Sequence, residues 1–113
     1  MADDCLFCRI VRGEIPANLV HEDERCLAFR DINPQAPTHV LVITRDHIPS
    51  LDQAADASLL GHVLLTAAEI ARRENIVGSG YRVVFNTNAD AGQTVFHIHA
   101  HVIGGRHMSW PPG

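Results

Sequence analysis

Histidine occupies every second position from 97 to 101, in the run His97-Ile98-His99-Ala100-His101. A strand turns successive side chains to opposite faces, with period two. The run predicts a strand over 95–103. One face carries His97, His99 and His101; the other carries Ile98, Ala100 and Val102. The apolar face needs a cover, and a long helix elsewhere in the chain can supply it. The imidazole face then opens to solvent or to a cleft.

The remaining elements can be read from local signals. His39–Thr44 is apolar and rich in β-branched residues, which predicts a central strand covered on both faces. Leu19–Glu22 and Cys26–Arg30 read as two strands of a hairpin around Asp23-Glu24-Arg25. Tyr81–Asn86 reads as a further strand. Asp56 or Ser58 opens a long helix to about Asn75, with Leu59, Val63, Ala67 and Ile70 at helical spacing and Arg72 and Arg73 in its last turn. Asp3 or Asp4 caps a short helix from Cys5 to Arg12, and Gly13 stops it. These parts make an α+β fold with one long and one short helix. With 113 residues, a single domain spans 1–113. Residues 106–113 form a C-terminal tail, because Pro111 and Pro112 can join neither a helix nor a central strand.

Composition excludes several classes of function. The net charge is −4 with histidine neutral, which argues against nucleic acid as a main partner, since phosphate backbones call for a basic face. No apolar run exceeds four residues, whereas a membrane span needs about 20. The start Met1-Ala2-Asp3-Asp4 lacks the cationic region of a secretory signal. Three cysteines do not build a disulfide framework, so a cytoplasmic chain is expected.

The histidine row bears on chemistry. His97 and His101 lie about 13 Å apart along a strand, too far for one ion with bonds of about 2.0–2.1 Å to take all three rings. Two neighbours could hold a metal with ligands from elsewhere, which would make a zinc hydrolase. A row of imidazoles suits another task better: gripping an anion along its length while the central ring attacks. The loop Asp90-Ala91-Gly92-Gln93-Thr94 precedes the row, and its small residues let backbone N–H groups approach a phosphate. A surface row with no role, or a binding scaffold without turnover, is the plainer reading. Cys5-Leu6-Phe7-Cys8 places two sulfurs on one helical face, a spacing that suits tetrahedral zinc. Two buried thiols acting as small hydrophobes, or a redox pair, would read the same. Cys26 falls in an apolar strand and is expected in the core. His21 and His62 are expected at the surface, and His107 in the tail.

At these residues the chain resembles the histidine triad family, and within it the Hint branch. His97-Ile98-His99-Ala100-His101-Val102-Ile103 matches the family signature. Glu14-Ile15-Pro16-Ala17, Asp31-Ile32, Pro34-Gln35-Ala36-Pro37-Thr38-His39, Ala91-Gly92-Gln93, Gly104-Gly105-Arg106 and the ending Trp110-Pro111-Pro112-Gly113 are similar too. The resemblance implies a homodimer in which two five-stranded antiparallel sheets join. It implies hydrolysis of purine nucleoside phosphoramidates, the amides of AMP or GMP, without a catalytic cofactor. His99 would be the nucleophile on phosphorus, with His97 and His101 holding the phosphoryl oxygens and the nucleophile's geometry, and His39 completing the site. Asp31 matches a ribose-binding carboxylate. Asn86, Gly92, Gln93 and Thr94 match positions around the phosphate, with Thr94 standing where relatives often carry serine. Leu6, Phe7, Ile10, Phe29 and Ile32 match the base pocket, and Trp110 matches a tail that reaches the other protomer's site. In other branches a cysteine pair joins two histidines in a structural zinc site; here those would be Cys5, Cys8, His47 and His97.

Overall fold

The computed structural model describes residues 4–113, so Asp3, one of the two expected helix caps, lies outside the described residues. In chain order the elements are α1 (Leu6–Val11), β1 (Leu19–Glu22), β2 (Cys26–Arg30), β3 (Thr38–Thr44), α2 (Ala57–Arg73), β4 (Tyr81–Val84) and β5 (His99–Gly104). Short 3-10 turns cover Leu51–Gln53 and Ala89–Ala91. The strands form one antiparallel sheet in the order β1-β2-β3-β5-β4. Among the described residues no helix is long and apolar enough to cross a membrane.

The two faces of this sheet have different covers. Val40, Val42, Ala100 and Val102 point to one face and pack with Val63, Ala67, Ile70 and Ala71 of α2. Leu41 and Ile43 point to the other and pack with Phe7 of α1 and with Leu27 and Phe29. Every residue of β3 is therefore buried, as a strand covered on both faces should be. Asp56 caps α2, its carboxylate accepting from the Leu59 N–H at 3.1 Å. For α1 the cap is not Asp4: Cys5 takes the position, and its Sγ accepts from the Cys8 N–H. Gly13 follows α1 at φ +75°, as a helix stop in the left-handed region.

The last strand is shorter than the sequence suggests. It begins at His99, not at residue 95. Its ladder with β3 starts at the pair Ile43–His99. The Ile98 N–H bonds instead to the Ile48 carbonyl, at 2.6 Å. His97 thus lies before β5 and outside the ladder, although its ring still meets Phe7, as the His99 ring does, with centroids 5.9 and 5.1 Å apart.

Two contacts at the end of the sheet give stability predictions. A Cβ added at Gly104 would stand 2.7 Å from Ile76 Cδ1 and 3.1 Å from its Cβ, so the branched side chain cannot retreat as a unit. Gly104→Ala is expected to cost about 1–3 kcal/mol, the usual range for overpacking, read from urea midpoints. Nearby, Arg30 grips Glu74 with two bonds of 2.8 and 3.0 Å. The hydrogen bonds from Arg30, more than its charge alone, hold the Glu74 carboxyl below its ordinary value of 4.5. A depressed carboxyl stabilises the fold above its unfolded pKa, and that stabilisation is lost as pH falls through the folded value. Glu74→Gln is expected to cost about 1 kcal/mol near pH 7. Denaturation of both chains across the range below pH 4.5 should show the difference disappearing.

Candidate active site

Register brings the catalytic-type residues together. β5 pairs with β3 so that His101 faces Leu41 and His99 faces Ile43. Paired residues share a face of the sheet, and His39 lies two positions from Leu41, on that same face. His39 Nε2 stands 2.9 Å from His101 Nδ1 and 3.4 Å from an Asp31 carboxylate oxygen. The His99 and His101 ring centroids are 5.0 Å apart.

Backbone partners assign the protons on these rings. The Gln35 N–H donates to His39 Nδ1 at 3.0 Å. That nitrogen therefore holds a lone pair, and His39 carries its proton on Nε2. His39 Nε2–H donates to His101 Nδ1, which leaves His101 with its proton on Nε2. His99 has the opposite arrangement. Its Nδ1–H donates to the His97 carbonyl at 2.7 Å, so its lone pair is on Nε2. His97 donates Nε2–H to the Thr44 carbonyl at 2.6 Å, which leaves its lone pair on Nδ1. Burial pushes His97 and His101 down to about 4, and pushes His99 down as well. At neutral pH all three are neutral, as these assignments require.

His99 and His101 line a cleft of about 310 Å³ together with Asp31, Ile32 and Thr94. Leu6, Phe7, Ile10, Phe29 and Val95 form its apolar wall, and Ile15, Pro16, Ala17, Asn18, Arg30 and Leu41 complete the lining. Phe7 meets the His99 ring edge-on, with centroids 5.1 Å apart, and meets Phe29 in the same way at 5.5 Å. An apolar slot with a carboxylate along it and imidazoles at its side suits a flat base, a sugar hydroxyl and an anion in turn.

His97 sits elsewhere. It has no exposed surface, and its Nδ1 lies 3.3 Å from Cys5 Sγ and 3.5 Å from Cys8 Sγ. His47 Nδ1 lies 3.2 Å from Cys8 Sγ. The four donor atoms of Cys5, Cys8, His47 and His97 fall within 4.8 Å of one another. Tetrahedral zinc with S and N ligands would place sulfur and nitrogen about 3.5 Å apart. The donor set and its spacing fit zinc, and the Thr44 carbonyl supplies the outer partner that holds a ligating ring in place.

The other sequence-predicted residues fall as follows. Gly92 is left-handed at φ +85° and closes the 3-10 turn. The Gln93 side chain is used inside the loop: its oxygen accepts from the Asn88 N–H, and its amide donates to the Pro49 and Val95 carbonyls. Asn86 and Trp110 line a groove beneath the tail, with Arg82 and Asp90, and not the His99 cleft. His21 and His62 are not idle surface groups, since both bond one Asp23 oxygen, at 2.7 and 2.8 Å. Cys26 is buried in the core, and burial pushes its thiol up to about 11. Sequence reasoning missed the Gln35 N–H and the Thr44 and His97 carbonyls. These are main-chain groups, and residue identity carries no signal for them.

A family model for the HIT domain matches residues 12–108. An uncharacterized HIT-like protein of Synechocystis sp. is 54% identical over 115 residues, covering all of both chains. The crystal structure of a HIT family hydrolase from Legionella pneumophila superposes with a TM-score of 0.95 at 52% identity, over 97% of this chain and 100% of that one. A zinc-bound histidine triad family protein from Mycobacterium smegmatis superposes at 0.83 with 33% identity, over 94% of this chain and 78% of that one. The chain belongs to the HIT family, the histidine triad proteins.

Proposed function

We propose that this chain hydrolyses the P–N bond of purine nucleoside 5′-phosphoramidates, amides of AMP or GMP, through a nucleotidyl-histidine at His99. The observation that carries the reading is the proton arrangement in the cleft. Of His39, His99 and His101, His99 alone presents an unengaged lone pair, on Nε2, and a carbonyl aims its ring. His101 presents Nε2–H beside it, a donor for a phosphoryl oxygen as charge builds there.

The step balances as follows. His99 Nε2 forms a bond to phosphorus as the P–N bond breaks. The departing nitrogen takes a proton from water, and the remaining hydroxide then displaces His99 to give the nucleoside monophosphate. The slot between Leu6, Ile10 and Phe29 takes the base, Asp31 takes the ribose hydroxyls, and Thr94 adds a hydroxyl near the phosphate. His97 serves through its carbonyl. The reading assigns Gln93 to holding the loop and not to the phosphate. The outer edge of β4 and the exposed Trp110 suit a homodimer in which the tail approaches the partner's cleft. A reducing, cytoplasmic setting suits the thiols of Cys5 and Cys8, which with His47 and His97 hold a structural zinc that ties α1 to the sheet.

A zinc hydrolase is the second reading, and Asp31, His39 and His101 do cluster. The proton assignments count against it. Gln35 fixes His39 Nδ1 as an acceptor, so His39 Nε2, the atom that faces Asp31 and His101, carries a proton where a metal would need a lone pair. The test is hydrolysis of adenosine 5′-phosphoramidate by the full chain with and without a strong chelator, with circular dichroism on the same samples. Turnover in chelator by the folded chain is the expected result. Turnover lost with the fold intact would establish a catalytic metal and overturn the proposal. Absence of turnover in both samples would favour a binding module.

A further inference from the structure

We infer that the Cys5–Cys8–His47–His97 cluster is an exchangeable zinc site that controls nucleotide affinity in the His99 cleft. The inference rests on the nucleotide reading of that cleft and goes beyond a purely structural metal. Three observations carry it. First, His97 belongs to both sites: its ring Nδ1 faces the two sulfurs, and its carbonyl holds His99 Nδ1. Second, the residues between the two cysteines are cleft walls. Leu6 and Phe7 line the nucleotide slot, so whatever clamps Cys5 and Cys8 also fixes that wall. Third, among the described residues the cluster is open on one side. Cys5 and His47 line a separate cleft of about 450 Å³, whereas Cys8 and His97 are buried. An ion can therefore reach two ligands from solvent without unfolding the sheet.

If zinc orders the wall that the nucleotide touches, the two ligands must favour each other equally. AMP binding to the reduced full chain is measured by calorimetry, zinc-loaded and after chelator treatment, with circular dichroism on both. AMP is expected to bind about tenfold more tightly to the zinc-loaded chain, within the usual range of coupling between sites. Transfer of zinc to a colorimetric chelator should be suppressed by saturating AMP to the same degree. Equal AMP affinity in two folded forms overturns the inference and leaves the phosphoramidase reading intact. No AMP binding in the zinc-loaded chain overturns both. If the stripped chain unfolds, His47→Gln is used instead, because it keeps three ligands and the His97 ring. AMP affinity in that variant should then rise across a zinc titration, and a flat response overturns the inference.

Discussion

His99→Ala is expected to abolish phosphoramidate turnover, by at least about a thousandfold, while AMP still binds. The substitution removes the one cleft imidazole with an available lone pair. It leaves Asp31, Leu6, Ile10 and Phe29 in place, so the base and ribose contacts survive. It also leaves the His97 ring and its Thr44 bond untouched. Turnover by single-turnover assay and AMP affinity by calorimetry separate the two effects. Residual activity within about tenfold of the parent would remove His99 from the nucleophile's role.

The second large effect concerns Cys8. It is buried, and its sulfur lies within 3.5 Å of both His47 and His97. Cys8→Ser replaces a soft zinc ligand with a poor one, and a structural zinc contributes directly to folding. A loss of about 2–3 kcal/mol is expected, which for a chain of this size lowers Tm by roughly 10 °C or more. Chelator should lower the parent's Tm by a similar amount and leave that of Cys8→Ser unchanged. An unaltered Tm in the variant would mean that the two thiols act only as small apolar groups. Thermal melts in reducing buffer, with and without chelator, make the comparison.

Several elements were legible because their signals are local. The hairpin at 19–30, the buried strand at 39–44 and the long helix follow from side-chain pattern and caps, and the structure forms them within a residue or two. The alternation of His99 and His101 placed them on one face for the same reason. It also counted His97 as part of the strand, because alternation assumes an unbroken one. The Thr44 carbonyl accepts the His97 ring, and Ile98 pairs with Ile48, so the strand starts at His99, four residues later than expected. Gln93 shows a related limit. The small residues of its loop, Asp90 to Thr94, marked an anion cradle, but they cannot say whether an amide points outward or, like that of Gln93, bonds back to Pro49. The proton on each histidine was equally unreadable, because Gln35, Thr44 and His97 set it through main-chain atoms.

The most direct measurement is the mass of the chain during turnover. The full protein is mixed with adenosine 5′-phosphoramidate, quenched in alkali to preserve a phosphorus–nitrogen bond, and digested for mass spectrometry. One adenylyl group on the peptide carrying His99, absent from His99→Ala, is the expected result. Rapid turnover with no adduct at any time, together with inversion at a chiral phosphorus, would show direct attack by water and contradict a covalent route through His99.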